Sequence, residues 1–299
     1  MNQPRVIALF GPTAIGKTAV AIALGRRLRE RGEHPVAVSA DALQVYRGLE
    51  IVSGAASAAD QKRLEHRLIS IVPVTERFSV AQYAERAHAE IDALIAEGAT
   101  PIVVGGTGLY LRAALAELDL RPPPPPGVRE ALMEDAAERG TEALHADLAS
   151  KAPAVAAVID PRDRHRVVRA LELDAQGALD ESPRVDNQLW TQDTRRPTRL
   201  VALTMDRDEL HERISERVDA MVAAGAVAEV RAADAAGASA TARKALGFEE
   251  LLRDDVDAMK IRTRQYARRQ LTWLRKLSGV ERVDLTGRDA EDVAAELVG

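Results

Sequence analysis

The sequence predicts an α/β fold: a parallel sheet with flanking helices, gathered round a phosphate-binding loop and interrupted by a helical insertion. Three observations carry this. Val6, Ile7, Ala8, Leu9 and Phe10 form a short continuous apolar run, as a strand covered on both faces requires. They lead directly into Gly11-Pro12-Thr13-Ala14-Ile15-Gly16-Lys17-Thr18, a G-x-x-x-x-G-K-T loop, and then into a helix-like stretch at 19–28. After the proline run at 122–126 the pattern changes, and from 128 to about 179 it is helical with no clear strand. These features give a P-loop NTPase-like core in two parts, 1–120 and 198–299, around a helical insertion at 121–197.

In residues 11–18 the glycines let the backbone wrap round an anion. Successive N–H groups and the helix N-terminus point at phosphate oxygens, Lys17 adds a point charge, and Thr18 offers a hydroxyl to Mg²⁺. The loop identifies the group bound and leaves the reaction open. Composition narrows the field. The 299 residues, 46% of them hydrophobic, are enough for one large α/β domain with a smaller appendage. With no cysteine, disulfides, thiolate metal sites and cysteine nucleophiles are excluded, which suits a reducing cytoplasm. No segment approaches the roughly 20 apolar residues of a membrane span, and no targeting signal is read. A formal charge of -5 gives no global nucleic-acid signature, so a nucleic acid would have to be held by local basic patches.

Taken in order, the next strand, 35–40, ends at Asp41, where ligands of open α/β sheets bind. Asp41 can equally be a cap for a turn over 43–46. Residues 61–66 read as helix and 68–72 as a short strand. Ser79 caps a long helix running to about Glu97, ended by Gly98. The strand at 101–104 ends in Gly105-Gly106-Thr107-Gly108, which brings backbone close to a helix start or a ligand. No Asp closes that strand, so it is not a Walker-B strand. In the insertion, Arg162, Arg166 and Arg169 recur at helical spacing, as phosphate contacts or a solvated face would. Residues 180–197 are polar and aperiodic, 199–205 return as a strand, and 209–221 form a helix carrying Arg213 and Arg217 on one face. The stretch 261–277 interleaves Arg262, Arg264, Arg268, Arg269, Arg275 and Lys276 with Tyr266 and Trp273. Its apolar stripe, Ala267, Leu271 and Leu274, is expected to pack on the core and turn the basic side outward. A strand at 280–285 and a helix at 290–298 close the chain.

The set of stretches resembles a known family, the tRNA dimethylallyltransferases, over nearly the whole chain. The matching segments are the loop at 11–18; Asp41 with Gln44 and Tyr46; residues 78–83; Gly105-Gly106-Thr107 with Leu109-Tyr110; Arg166 with Arg169-Ala170-Leu171-Glu172; and Thr263-Arg264-Gln265 through Arg269-Gln270-Leu271-Thr272-Trp273-Leu274-Arg275. The resemblance implies that the loop holds the diphosphate of dimethylallyl diphosphate, with Lys17, Mg²⁺ on Thr18 and an arginine, Arg217 in preference to Arg213, stabilising it as it leaves. It implies that Asp41 orients the N6 amine of adenosine 37 in tRNA and accepts its proton, and that Thr107 lines the channel between the substrates. It assigns the grip on the anticodon loop to Asp41, Ala42, Leu43 and Gln44, to Thr107, to Arg129, to His165, Arg166, Val167, Val168 and Arg169, and to Lys244 and Gly247. A cytoplasmic monomer is expected.

The chain departs from the family's usual pattern in three places. Ala42 follows Asp41 where Ser is usual, residues 51–56 read Ile-Val-Ser-Gly-Ala-Ala in place of Ile-Gly-Thr-Ala-Lys-Pro, and His66 stands alone where a pair is common. A hydroxyl and a lysine near the tRNA are thereby lost, while the diphosphate loop and Asp41 are kept. Two other readings fit part of the chain. A small-molecule or nucleoside kinase explains the front half and leaves the basic Tyr/Trp-containing stretch idle. A P-loop RNA-binding module without chemistry draws only on the departures.

Overall fold

A computed structural model describes residues 5–118, 120, 124–179 and 193–298. The expected proline-rich departure and the polar connection at 180–197 fall partly outside these, at 121–123 and 180–192. The chain divides into two compact units, Met1–Leu118 with Gln188–Gly299, and Asp119–Asn187.

The first unit is built on a six-stranded sheet, all of whose pairs are parallel. In chain order its strands and those of a small second sheet are β1 (Val6–Phe10), β2 (Pro35–Ala40), β3 (Tyr46–Arg47), β4 (His66–Arg67), β5 (Val72–Pro73), β6 (Thr100–Gly105), β7 (Thr198–Thr204) and β8 (Glu281–Asp284). The large sheet has the order β4-β2-β6-β1-β7-β8, and β3 pairs with β5 beside it. The helices are α1 (Lys17–Glu30), α2 (Glu50–Ser53), α3 (Ala58–Arg63), α4 (Val80–Ala96), α5 (Gly108–Leu115), then α6 to α9 in the second unit, α10 (Arg207–Ala223), α11 (Ala226–Ala235), α12 (Phe248–Leu252), α13 (Val256–Lys276) and α14 (Ala290–Val298).

Burial explains the central strands. Ala8, Leu9 and Phe10 of β1 and Val36, Ala37 and Val38 of β2 are completely excluded from solvent, so both faces of each strand are covered. Leu9, Ile15, Leu24, Ile102 and Leu203 share one cluster that joins the sheet to α1. Each such side chain contributes about 1.5–3 kcal/mol on leaving water.

Register places the functional loops. Phe10 and Ala40 both pair with Gly105, so β1, β2 and β6 end level with one another. Gly11, Asp41 and Gly106 therefore emerge side by side at the carboxyl edge, where open parallel sheets bind ligands. Gly105 has to be glycine for this approach, since a β-carbon there would lie 2.6 Å from the Ala40 carbonyl oxygen.

Ser79 caps α4 with a full capping box, its Oγ accepting from Gln82 N–H. The segment after β2 differs from expectation. A second capping box, Ser57 with Asp60, starts α3 at Ala58, and extended Leu64 ends it after Arg63, so the helix overlaps the expected 61–66 but begins and ends three residues earlier. The strand expected at 68–72 is broken, because Leu68 and Ser70 have positive φ, leaving only β4 and β5 on either side.

Among the described residues the second unit has four helices and no strand: α6 (Val128–Glu138), α7 (Thr141–Lys151), α8 (Pro153–Ala156) and α9 (Arg164–Ala175). Its own core gathers Leu144, Leu148, Ala156, Val167, Val168 and Leu171. Within it Glu172 is fully buried and accepts from Arg129, and from Arg169 at 3.0 Å. The three-arginine face expected on this helix is corrected. Arg162 precedes α9 and pairs with Asp160, and Arg169 turns to Glu172, which leaves Arg166 on the exposed side with Arg164 and His165.

Candidate active site

A cavity of about 610 Å³ opens at the carboxyl edge of the sheet within the first unit. Its floor is the loop after β1, one wall is the segment after β2, and α10 and α13 close the other sides. Of the eight loop residues, Thr13, Ala14, Gly16, Lys17 and Thr18 line it. Gly11, Pro12 and Ile15 are buried beneath. Gly16, at φ +100, occupies the N-cap position of α1 in a left-handed conformation open to glycine.

Lys17 Nζ donates to the carbonyls of Gly11 at 2.9 Å and Pro12 at 2.8 Å. Burial, reinforced by the Arg217 charge and opposed by Asp41, pulls its ammonium down to about 7. Arg217 also lines the cavity, and burial lowers its guanidinium while the Asp41 carboxylate opposes that shift. No ion pair holds it among the described residues. Arg213, one turn earlier, is committed to Glu209 at 2.8 Å. Gly54 makes room for Arg217: a β-carbon at this position would fall within the guanidinium. The stretch 51–56 thus carries the glycine against which Arg217 lies.

Asp41 serves as the cap with one oxygen and keeps the other toward the cavity. Its Oδ1 accepts from the N–H of Leu43 at 2.9 Å and of Gln44 at 3.4 Å, so it caps the turn. Among the described residues Oδ2 has no hydrogen-bond partner, and the residue lines the cavity. Ala42, Leu43, Gln44, Thr107 and Lys244 line it too. Gln44 spends its amide inside the protein, accepting from Ser39 Oγ at 2.8 Å and donating to Gly54 O at 3.2 Å.

Thr107 stands at the N-cap position of α5, yet its hydroxyl makes no cap. It meets the Tyr266 hydroxyl at 2.9 Å instead. Burial pushes that phenol up to about 12, so it stays protonated at neutral pH. The Gly-Gly-Thr-Gly turn meets protein at each glycine. Gly105 faces Ala40, Gly106 faces Gln270, and Gly108 faces the Trp273 ring.

The expected apolar stripe of α13 does pack inward at Ala267 and Leu274, and the inward face also carries polar residues. Thr263, Ala267, Gln270 and Leu274 are buried, and Thr263, Tyr266 and Gln270 line the cavity. The inward face is polar at the site and apolar beyond it. Arg268, Arg275 and Lys276 do face solvent, whereas Arg262 binds Glu250 at 2.6 Å and Arg264 donates to Ser215 Oγ at 2.8 Å. Sequence reasoning missed Thr263 and Gln270 as site residues; their signal was a polar row at i, i+3 and i+7 with Tyr266.

The remaining sequence-predicted residues lie elsewhere. Gly247, at φ +93, caps α12 and packs on Met259, a backbone role. Arg129, His165, Arg166, Val167, Val168 and Arg169 belong to the second unit. Val167 and Val168 point into its core, so their side chains are not available to an RNA surface. No helix among the described residues is long and apolar enough to cross a membrane.

The IPP transferase family matches residues 44–277. The chain belongs to the IPP transferase family. Among its relatives, the tRNA dimethylallyltransferase of Anaeromyxobacter sp. (strain K) is 43% identical over 290 residues, covering 92% of each chain. That of Thermobifida fusca (strain YX) is 39% identical, over 98% of this chain and 94% of its own. The crystal structure of the full-length tRNA isopentenylpyrophosphate transferase from Bacillus halodurans superposes with a TM-score of 0.70 at 32% identity, covering 99% of this chain and 94% of that one. The IPP transferase match takes in Asp41's neighbour Gln44, the Gly-Gly-Thr-Gly turn, the second unit and α13. The loop at 11–18 lies before it and within the region shared with the full-length relatives.

Proposed function

We propose that this chain transfers a dimethylallyl group from dimethylallyl diphosphate to N6 of an adenosine in tRNA, next to the anticodon, releasing diphosphate. The observation that carries the proposal is a single cavity with two chemically different sides. A cationic cradle, residues 13–18 with Arg217, faces a carboxylate that keeps one oxygen free. A kinase would place an acid at the end of β6, where this chain has Gly105.

The donor's C1–O bond breaks with its electron pair passing to diphosphate. Negative charge grows on the leaving group, and loop N–H groups, Lys17 and Arg217 stabilise it more in the transition state than before. The N6 lone pair forms the new C1–N6 bond, and its proton passes to Asp41 Oδ2. A carboxylate with a reference pKa of about 3.9 is far too weak to remove an amine proton beforehand, so Asp41 acts as the bond forms. The turn N–H groups on Oδ1 hold the carboxylate in place for this.

Thr18 is the residue suited to a magnesium ion. Its hydroxyl lines the cavity beside Lys17 and has no hydrogen-bond partner among the described residues, and no group of three acidic or histidine side chains there offers a protein cage. Such a site fits an ion held mainly by substrate phosphates and water. When bound, Mg²⁺ would neutralise charge on the diphosphate.

The target base must leave its stack to reach the cavity. The tRNA acceptor is supported by the names of the relatives, and the exposed Arg164 and Arg166 supply phosphate-positioning charge beside the exposed His165. Incubation with labelled dimethylallyl diphosphate and unmodified tRNA tests the proposal. Label in N6-dimethylallyladenosine among the released nucleosides is expected; turnover of ATP with an added alcohol and no transfer to tRNA refutes it.

A further inference from the structure

Gln270 is 4% exposed and joins two loops that are far apart in sequence. Its Oε1 accepts the Thr13 N–H at 2.8 Å, and its Nε2 donates to the Gly106 carbonyl at 2.7 Å. Thr13 belongs to the diphosphate cradle, and Gly106 precedes Thr107 on the opposite side of the cavity. One turn earlier on the same helix, Tyr266 holds the Thr107 hydroxyl. Gly106 is shaped for the bridge: a β-carbon there would lie 2.5 Å from Gln270 Nε2 and 3.2 Å from Lys17 Nζ.

We infer that Gln270 is a positioning residue for the transfer, setting the separation of the diphosphate cradle from the Thr107 and Asp41 wall through Thr13 and Gly106. The inference rests on the proposed reaction. It also removes the Thr13 N–H from the set available to phosphate, leaving the later loop N–H groups to form the cradle. An amide is required, because the bridge needs an acceptor and a donor on one planar group. Glutamate supplies only the acceptor when ionised, and leucine supplies neither. Misplacement of reacting atoms by about 1 Å costs on the order of 10²-fold in rate. Both polar atoms of Gln270 are engaged with the protein, so loosening this bridge lowers turnover through position.

Gln270→Leu and Gln270→Glu test this beside the wild type, with donor and tRNA affinities measured directly and Tm recorded. In Gln270→Leu, both affinities should stay within about threefold while kcat falls about 10²-fold. In Gln270→Glu, protonation restores a donor toward Gly106, so kcat relative to wild type should climb as pH falls from about 8 to about 6, burial raising the new carboxyl against the opposing charge of Lys17 beside Gly106. A purely structural role would weaken donor binding and Tm together and leave that ratio flat with pH. The inference is overturned by a Leu variant with kcat within about threefold of wild type, by affinity losses that account for the whole effect, or by a flat Glu ratio. Should the Leu variant not fold, the Glu ratio alone decides. An active wild type with unaffected variants refutes the role of Gln270 only; a wild type that transfers nothing refutes the reaction and, with it, this inference.

Discussion

Donor binding should draw a proton onto Lys17 at alkaline pH. Burial and Arg217, opposed by Asp41, hold its ammonium down at about 7. A diphosphate in the cradle replaces that isolation with direct counter-charge, which raises the pKa again. The sign follows: the neutral amine is favoured in the free site and the ammonium in the complex. Affinity therefore falls as pH rises through the free-site value, by up to about tenfold per pH unit for one linked proton. Between pH 7 and pH 9 the loss is about 50-fold, since half the lysine is already neutral at pH 7, while the bound lysine remains charged. A diphosphate monoester loses its last proton near pH 6, as phosphate monoesters do, so the ligand is silent over about pH 7.5–9. Titration calorimetry in buffers of differing ionisation enthalpy, without metal, should give proton uptake approaching about one at pH 8.5. Lys17→Arg keeps a permanent charge and should lose the slope. Arg217→Gln removes one of the causes and should move the onset upward in pH. Absence of uptake in the wild type, or an equal slope in Lys17→Arg, refutes the assignment to Lys17.

Asp41→Asn keeps the acceptor for the Leu43 and Gln44 N–H groups and removes the base. Its Tm and donor affinity should match wild type while single-turnover transfer falls about 10²- to 10⁴-fold; near-normal transfer would take Asp41 out of the mechanism. Gly54→Ala drives a methyl into the Arg217 guanidinium at φ +61, so KM for the donor should rise at least about tenfold, as loss of a charge-assisted contact of about 1.5–3 kcal/mol requires. Steady-state kinetics with an unchanged KM would separate Arg217 from the diphosphate. Arg164→Ala and Arg166→Ala should each lower the slope of log Kd for tRNA against log salt by about one. Arg169→Ala should instead lower thermal stability, by about 1–2 kcal/mol given its partial exposure, because it leaves buried Glu172 with Arg129 alone. Filter binding over a salt series and thermal melts distinguish the two outcomes.

Much of this architecture was legible in the sequence because local rules govern it. An apolar pentapeptide entering a glycine-bounded loop specifies a buried strand, a phosphate cradle and a helix start within a few residues. Ser79 and Gly98 bounded α4 through capping and left-handed geometry, and the last strand and helix followed from periodicity alone. Asp41 could be placed at a strand end, though its double duty could not be seen, because only the folded turn divides its two oxygens between capping and the cavity.

What tertiary structure alone decided are pairings between distant residues. Arg213 and Arg217 are equivalent by helical spacing. Glu209 claims the first from one turn earlier on the same helix, a local pairing, whereas Gly54, far away in the chain, clears space for the second, which periodicity does not show. Arg129 and Arg169 look like free cations until Glu172 is buried between them. At the site the inward positions of α13 are Thr263, Tyr266 and Gln270; Tyr266 and Gln270 find their partners in Thr107, Thr13 and Gly106, more than 150 residues away, while Thr263 donates to the Met259 carbonyl one turn earlier. The sequence by itself determined the chemistry of the cradle and its place at the sheet edge. The tertiary structure determined which charges remain free to act there, since a charge is free or spent according to its nearest neighbours in space.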